Sequence, residues 1–493
     1  MTEHLPILQV VLPLIAAPLM ILVRRGAVAW LLAVAASGGA LVIALNLFLQ
    51  TADGEIISYA IGNWPPPWGI EYRIDAANAF LLLLVSAMGF VVALYSRKSV
   101  AAEIPEEQHY IFYALLTLCM TGLLGMTATG DAFNIFVFLE ISSLSTYVLV
   151  ALGRDRRALV AAYQYLIMGT IGATFFIIGV GLVYLLTGTL NLADMAARIS
   201  PDAAQRPLLA ALAFITVGIS LKLALFPLHL WLPNAYAYAP SAVTAFLAAT
   251  ATKVSIYVLL RFYYTVFGAA FVFESLPVKE ILLFLSIAAM FGASVVAIFQ
   301  HDVKRMFAYS SVAQIGYITL GVGMGSETGL IAGLVHLFNH AITKGAIFLL
   351  LGCIALRVGG AVRFETIAGI GRVMPYTSFG IVLGGLSLIG IPLTVGFVSK
   401  WYLVTAALEQ DAWWLALLIV LSSLLAVVYV WRFVEAAYFR EPESSVAQLR
   451  EAPASMLIMG WLMIAASVYF GIDTALTLGG ATHAAEALMR PLP

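Results

Sequence analysis

The sequence has few charged residues and few cysteines. Charged residues make up only 10% of the 493 residues, whereas about a quarter is usual for a soluble domain. The two cysteines, Cys119 and Cys353, both lie in apolar runs, which excludes a disulfide framework and a cysteine-based metal site. A net charge of −1 without a basic block argues against nucleic acid as a partner. No polar stretch is long enough for a folded extramembrane domain, so enzymes that need such a domain are excluded.

Apolar residues dominate the chain instead. They make up 62% of the sequence, and the mean hydropathy is +1.00. A helix needs about 20 apolar residues to cross about 30 Å of hydrocarbon, and the runs are continuous rather than alternating as in barrel strands. The sequence therefore predicts an all-α polytopic membrane protein with about 14 transmembrane helices. The predicted spans begin near Leu5, Val28, Ala76, Tyr110, Asp131, Val160, Pro207, Ser241, Lys279, Met306, Thr328, Pro375, Trp413 and Ala454.

The distribution of basic residues predicts the orientation of these spans. If the N-terminus is outside, fourteen of the 25 basic residues fall in inside loops and six lie in outside segments or at the outer ends of spans. Basic residues are enriched in loops on the cytoplasmic side of membrane proteins. We therefore expect both termini to face outward.

Four lysines lie within apolar spans: Lys222, Lys253, Lys344 and Lys400. A charged side chain at mid-bilayer costs at least roughly 2.5–3.5 kcal/mol, and such residues usually face the protein interior or a water-filled path. We therefore expect these lysines to be functional. Arg432, near the inside end of its span, is expected only to anchor the helix.

Glu140 is the only carboxylate deep within a span. It needs a basic partner, and Lys222 is the candidate. Asp131, at the outer end of the same helix, is expected to cap the helix instead.

His336, His340 and Lys344 are spaced by four residues, so they form a stripe along one helix face. The stripe has three interpretations. The histidines could pack by hydrogen bonds to neighbouring helices, or they could bind a metal, although no Asp, Glu or Cys within a span is obviously paired with them. A proton relay suits them best, because histidine changes charge near neutral pH.

Two spans contain a proline in mid-course, Pro227 in the seventh and Pro392 in the twelfth. Broken membrane helices at matching positions point to an inverted-repeat transporter. Spans that are five apart in sequence have opposite orientations. We therefore predict two inverted five-helix repeats with broken helices 7 and 12, residues 110–264 and 279–439. Residues 1–109 would form three N-terminal helices, and 454–493 a C-terminal helix.

Three runs carry a specific resemblance: 129–140 (TGDAFNIFVFLE), 221–235 (LKLALFPLHLWLPNA) and 336–344 (HLFNHAITK). Over essentially the whole chain, the sequence resembles the antiporter-like family of complex I membrane-arm subunits and Mrp-type multisubunit cation/proton antiporters. Within this family it is most similar to the D-type subunits of the Mrp antiporters, through 129–134 and 188–194 (GTLNLAD) and through its length. Residues 141–148 (ISSLSTYV) are more typical of complex I or hydrogenase relatives.

The resemblance implies roles in proton translocation. Glu140 and Lys222 match the ion pair of the first half, and Lys253 matches a connecting lysine. His336, His340 and Lys344 match a relay, and Lys400 matches the terminal ionisable residue. No cofactor or metal is expected.

The resemblance also implies a secondary-transporter subunit, not an enzyme, in a bacterial inner membrane. It would translocate protons within a sodium/proton antiporter and assemble with subunits of A, B, C, E, F and G type; its ligands would be protons and monovalent cations. The alternative is a proton-pumping subunit of a complex I-like NADH:quinone oxidoreductase or membrane-bound hydrogenase, in which other chains handle the electrons. A carrier of organic anions and a membrane-embedded acyl- or glycosyltransferase are weaker alternatives.

Overall fold

A computed structural model of the chain describes residues 2–199, 205–442 and 444–490. In this part of the chain the protein is almost wholly helical, with one two-stranded antiparallel sheet. The first helices are α1 (Leu5–Val23), α2 (Gly26–Thr51), α3 (Ala76–Glu103), α4 (His109–Ala128), α5 (Ala132–Ala151), α6 (Arg157–Thr187) and α7 (Leu192–Arg198). Strands β1 (Ile57–Ala60) and β2 (Glu71–Ile74) form a hairpin between α2 and α3.

The middle of the chain is divided into shorter helices. They are α8 (Gln205–Leu223), α9 (Trp231–Tyr238), α10 (Ser241–Ala249), α11 (Ala251–Leu260) with a π-helical continuation (Arg261–Val266), and α12 (Ala269–Phe273). The remaining helices are α13 (Val278–Ile298), α14 (Val303–Gly323), α15 (Glu327–Val358), α16 (Pro375–Ile389), α17 (Val395–Glu409), α18 (Trp413–Val434), α19 (Ser444–Ala447), α20 (Ala454–Ile472) and α21 (Ala475–Met489).

Twelve helical segments in the described part of the chain are long and apolar enough to cross a membrane, which confirms the all-α polytopic fold. Two further regions complete the fourteen predicted spans. One is α14, whose first turn carries Lys304 and Arg305, and the other is the pair α16 and α17, each of 15 residues. The count of fourteen and the inverted repeats stay predictions.

The structure has helix breaks where the two prolines predict them. Helix α8 ends at Leu223 and is followed by Ala224 with a φ of 60°, while α16 ends at Ile389 and is followed by Gly390 with a φ of 93°. A third break, between α10 and α11, was not predicted because the sequence has no proline or glycine there. Thr250 leaves the helical conformation at this point, with φ −124° and ψ −55°.

Helix α15 forms the centre of the bundle. It has 32 residues and packs against α3, α10, α14, α16, α17, α20 and α21. Its middle, including the predicted histidine stripe, is buried on all sides. Because other helices enclose α15, its polar side chains face protein rather than lipid.

The motifs 129–134 and 188–194 meet each other at one end of the bundle. The Leu192 amide donates to the Gly130 carbonyl (2.9 Å), and the Ala132 amide donates to the Leu190 carbonyl (2.8 Å). Asn191 also donates to the Glu71 carboxylate of β2 (2.9 Å). Asp131 caps α5 as predicted, because its carboxylate accepts from the Asn134 amide (2.7 Å). The two motifs therefore form a structural clamp.

The C-terminal region differs from the prediction of one helix over 454–493. It contains α20 and α21, separated at Asp473, whose carboxylate accepts from the Ala475 amide (3.0 Å). Helix α21 packs against α3 and α15. The polar pair Asp473–Thr474 interrupts the apolar run, and this permits the chain to change direction there.

A buried ion pair joins the start of α3 to the end of α11. The Arg261 guanidinium donates to both carboxylate oxygens of Asp75 at 2.8 Å, and both side chains are about 5% exposed. Arg261 is one of the six basic residues that the orientation count places in outside segments or at the outer ends of spans, and the sequence indicates no role for Asp75. Neither residue signals the other in sequence, because 186 positions separate them.

Replacing Arg261 by Met should therefore destabilise the protein strongly. The change leaves the Asp75 carboxylate buried without a counter-charge, which costs about 3–5 kcal/mol. We expect a lowered melting temperature of the detergent-purified protein. Arg440→Met is the matched control, because Arg440 pairs with Glu435 where both side chains are 45% exposed, and such pairs contribute about 0–1 kcal/mol. Equal melting temperatures for the two variants would contradict this interpretation.

Candidate functional site

The seven predicted side chains lie on five helices, six of them in the interior of the bundle and Glu140 at its edge. Glu140 lies on α5, Lys222 on α8, Lys253 on α11, Lys400 on α17, and the remaining three on α15. Six of them are at most 7% exposed: Lys222, Lys253, His336, His340, Lys344 and Lys400. Glu140 is the exception, with a side chain that is 26% exposed.

The Glu140–Lys222 pair is present, but it is loose. The Lys222 ammonium lies 3.9 Å from Glu140 Oε1, beyond a hydrogen bond. It donates instead to the Ser143 hydroxyl at 2.7 Å and to the Tyr147 hydroxyl at 3.4 Å. Glu140 Oε1 is buried and has no hydrogen-bond partner among the described residues.

Lys253 and Lys344 each donate to backbone carbonyls and hydroxyls. Lys253 donates to the Ala248 carbonyl (2.5 Å), at the end of half-helix α10, and to Thr252 (3.3 Å). Lys344 donates to the Phe307 carbonyl (2.8 Å) and to the Ser310 hydroxyl. Neither ammonium has a carboxylate partner in the described part of the chain.

The histidines form the link between the lysines. The rings of His336 and His340 stack with centroids 6.1 Å apart and planes 9° apart. The two ring nitrogens of His340 are buried and have no hydrogen-bond partner among the described residues. Buried polar groups without a protein partner are usually satisfied by ordered water. His340 precedes Lys344 by one turn of α15, and its ring nitrogens are suited to a water-bridged relay.

His336 is held by two neutral side chains. Its Nδ1 pairs with the Ser399 hydroxyl (2.8 Å), and its Nε2 pairs with the Gln314 amide oxygen (2.9 Å). The ring also lies 5.4 Å from that of Tyr317. His336 therefore leads from the stripe toward Ser399, which is the neighbour of Lys400.

Lys400 closes the break between α16 and α17. Its ammonium donates to the carbonyls of Leu388 (2.8 Å) and Ile389 (3.0 Å), the last residues of α16, and to the Ser423 hydroxyl (2.9 Å). The C-terminal end of a half-helix carries partial negative charge and favours a cation. The ammonium also lies 4.6 Å from the Tyr317 ring, which connects it to His336.

Sequence reasoning missed the neutral residues that complete this line. Ser310, Gln314 and Tyr317 lie on one face of α14, at positions i, i+4 and i+7, and each contacts a predicted relay residue. Serine, glutamine and tyrosine are not unusual within apolar spans, so no energetic cost drew attention to them. Their helical spacing is the one signal that could have found them.

A polar cleft lies at one end of the bundle, the end predicted to face inward. It encloses about 100 Å³ and is lined in part by Glu103, Arg154, Asp302 and Lys304. Lys304 donates to the Ser241 hydroxyl (3.0 Å), and Glu103 accepts from the Ser241 amide (2.8 Å). Ser241 begins α10, whose other end meets Lys253. The single half-helix α10 therefore runs from the edge of the cleft to the carbonyl that binds Lys253.

The alternatives for the histidine stripe differ in how they fit this geometry. Among the described residues, no group of three His, Cys, Asp or Glu side chains is arranged to hold a metal ion. His336 has two hydrogen-bond partners, as a packing histidine would. His340 does not fit the packing interpretation, because neither of its ring nitrogens has a backbone or side-chain hydrogen-bond partner in the described part of the chain.

Lys400→Met should loosen the break between α16 and α17. The change leaves the Leu388 and Ile389 carbonyls without their donor, and each unsatisfied buried group costs about 1–3 kcal/mol. We expect faster amide hydrogen exchange across residues 390–398, measured by mass spectrometry on the purified protein. Lys279→Met is the control. Lys279 lies at the start of α13, and its ammonium donates to the Gln410 side chain (3.3 Å) rather than to a carbonyl of this break. Unchanged protection in the Lys400 variant would show that the ammonium does not hold the break.

Comparison with known proteins gives the family. Residues 129–426 match the family described as NADH:quinone oxidoreductase/Mrp antiporter, TM. The chain is 44% identical over 478 residues to the N subunit of the NADH-quinone oxidoreductase of Desulforudis audaxviator (strain MP104C), and the alignment covers 93% of each chain. It is 27% identical over 491 residues to the D-type subunit of the Na(+)/H(+) antiporter of Alkalihalophilus pseudofirmus (strain ATCC BAA-2126 / JCM 17055 / OF4), over 99% of this chain and 98% of the relative.

A solved structure gives the same result. A chain of the membrane-bound sulfane sulfur reductase (MBS), an archaeal respiratory membrane complex, superposes with a TM-score of 0.88 and 30% identity. The superposition covers 99% of this chain and 98% of the other. The family match spans residues 129–426, and all seven predicted residues, from Glu140 to Lys400, lie within it. The chain belongs to the NADH:quinone oxidoreductase/Mrp antiporter family of membrane proteins.

Proposed function

We propose that the chain is a proton-translocating membrane subunit of a redox-driven, complex I-like complex. The observation that carries proton translocation is the buried line of titratable groups from Lys253 through the histidines to Lys400. Such groups are expensive inside a membrane and are found where ions or protons pass. The neutral hydroxyls of Ser310, Ser399 and Ser423 contact members of this line, and bridging water would complete a relay through them.

The comparisons favour a redox complex over an antiporter, which reverses the order in which the sequence motifs ranked them. The identity to a subunit of an NADH-quinone oxidoreductase is 44%, against 27% to the D-type subunit of an antiporter. The motifs that favoured the antiporter, 129–134 and 188–194, form the structural clamp, and in the described part of the chain no hydrogen bond joins them to a predicted relay residue. The run 141–148, which favoured the redox relatives, contains the contacts of Lys222.

In this proposal protons reach the centre from the cleft at Glu103 and Lys304. They pass by Lys253, His340 and Lys344 to His336, and leave past Lys400. Opening and closing of the Glu140–Lys222 pair is coupled to proton transfer at Lys253. Electrons would be handled by other subunits, so the chain itself carries no redox chemistry. The predicted bacterial inner membrane, with both termini outside, stays an expectation.

The exposure of Glu140 supports membership of a larger assembly. On α5 it belongs to an exposed stripe with Phe133, Val137, Leu144 and Val148, which are 37–54% exposed. A carboxylate half-way along a span is too costly to face lipid. We therefore infer that a helix of a neighbouring subunit covers this stripe and offers Glu140 a donor.

A second candidate is the antiporter function that the sequence predicted first. The alignment with the D-type antiporter subunit covers 99% of this chain and 98% of the relative, so no length difference separates the two functions. The relay would then couple proton movement to a sodium gradient, with subunits of A, B, C, E, F and G type as partners. The energy source of the proton movement distinguishes the two.

Lys222→Met and Glu140→Gln should each abolish proton uptake by inverted membrane vesicles energised with the native electron donor. Each change removes one partner of the pair, so the remaining group is held in one state instead of switching. Uptake is measured with a pH-sensitive dye in a host lacking the chromosomal gene. Lys98→Met, at an exposed position, is the control and should leave uptake unchanged. Immunoblots verify equal abundance.

Two results would contradict the proposal. Donor-driven uptake at the wild-type rate in both variants would remove the pair from the mechanism. Proton movement that responds to a sodium pulse, and not to the electron donor, would establish the antiporter function instead.

A further inference from the structure

We propose that Ser143 and Tyr147 form a second docking position for the Lys222 ammonium, one that competes with Glu140. In this proposal Ser143 controls how readily the Glu140–Lys222 pair closes. The proposal deepens the proposed function, since it concerns the same ion pair. It assigns positioning roles to two residues for which neither the sequence motifs nor the comparisons provide one.

The first observation is the spacing of acceptors on α5. Glu140, Ser143 and Tyr147 lie at positions i, i+3 and i+7 and therefore share one helix face. Lys222 faces all three, and its ammonium lies nearest Ser143, at 2.7 Å, against 3.9 Å from Glu140. A lysine with a flexible stem can move between acceptors one helical turn apart without backbone motion.

The second observation is that the second position is built rigidly. The Tyr147 ring packs edge-on against Tyr165 (centroids 4.8 Å apart), and Tyr165 stacks on Trp231 at 4.0 Å. Trp231 donates to the carbonyl of Leu221 (2.8 Å), the residue before the lysine. The aromatic stack thus ties Tyr147 to the end of the half-helix that carries Lys222.

A glycine leaves room for this arrangement. A Cβ on Gly169 of α6 would overlap the Tyr147 hydroxyl, so only glycine admits the phenol at this place. Ser143 and Tyr147 are 4% and 6% exposed, so water does not replace them as acceptors from outside. The neutral acceptors are therefore fixed, while Glu140 Oε1 is left without a hydrogen bond among the described residues.

The consequence is electrostatic. A hydroxyl holds the ammonium by a hydrogen bond, and the carboxylate holds it by charge as well. With both positions available, the lysine can leave Glu140 without losing every partner. The titratable groups that face Lys222 are Glu140 and Tyr147, with Tyr165 behind them. Removing the Ser143 hydroxyl should drive the ammonium onto Glu140 and make the pair slow to open.

The test compares three variants of the intact complex. Ser143→Ala removes the acceptor, and Ser143→Thr keeps a hydroxyl. Ser145→Ala is the matched control on the same helix, because the Ser145 hydroxyl donates back to the Ile141 carbonyl (2.7 Å). We expect Ser143→Ala to slow donor-driven proton uptake roughly tenfold, the effect of about one hydrogen bond to a charged group, and to displace the pH profile toward alkaline pH. Ser143→Thr and Ser145→Ala should behave like the wild type.

A structure of the Ser143→Ala complex provides a readout that does not depend on transport. We expect the distance from Lys222 Nζ to Glu140 Oε1 to shorten from 3.9 Å to about 2.8 Å, the length of a charge-assisted hydrogen bond. An unchanged distance, or a pH profile equal to that of Ser145→Ala, would overturn the proposal. If Glu140→Gln and Lys222→Met left uptake unchanged, the proposed function would fail, and the measured distance alone would still decide whether Ser143 competes for the ammonium.

Discussion

The cost of burying ammonium groups in an apolar bundle is the constraint on which the rest of the site depends. Only one lysine within the spans, Lys222, has a carboxylate nearby in the described part of the chain, and that contact is loose. The other three, Lys253, Lys344 and Lys400, are held by backbone carbonyls and hydroxyls. Neutral acceptors bind an ammonium without trapping it as a second charge would. A proton carrier needs groups that are satisfied in this way and can still change state.

The helix breaks supply backbone acceptors to two of these lysines. A continuous helix uses its carbonyls internally, so carbonyls inside a membrane are left free where a helix ends. Lys344 differs, because it shares the Phe307 carbonyl within continuous helix α14. Lys253 binds at the end of α10 and Lys400 at the end of α16, while Lys222 lies at the end of α8. Three of the four lysines thus lie at a break, and each break is satisfied by the bundle rather than by lipid.

The contacts at one end of the bundle hold the helices firmly in place. The hairpin, the clamp between 129–134 and 188–194, and the bidentate Asp75–Arg261 pair fix one end of the bundle. The polar line runs through the middle, where His340 has unpaired nitrogens and Glu140 has an unpaired oxygen in the described part of the chain. Firm packing at the rim and unsatisfied groups at the centre are what an electrostatic relay needs, because charges shift while helices stay in place.

The sequence by itself determined the membrane class, the ionisable residues within the spans and two of the three breaks; that these residues form a relay stays a prediction. Charges in apolar spans are costly, and Pro227 and Pro392 interrupt a helix whatever its tertiary contacts are. Both signals can therefore be seen in the sequence alone. Only the tertiary structure decided which side chains the buried charged residues contact. The partners of Lys222 and His336 are neutral residues 75–79 and 22–63 positions away, and the Arg261–Asp75 contact spans 186. Neutral side chains leave no energetic mark on a linear sequence, so their roles emerge only where helix packing brings them against a charge.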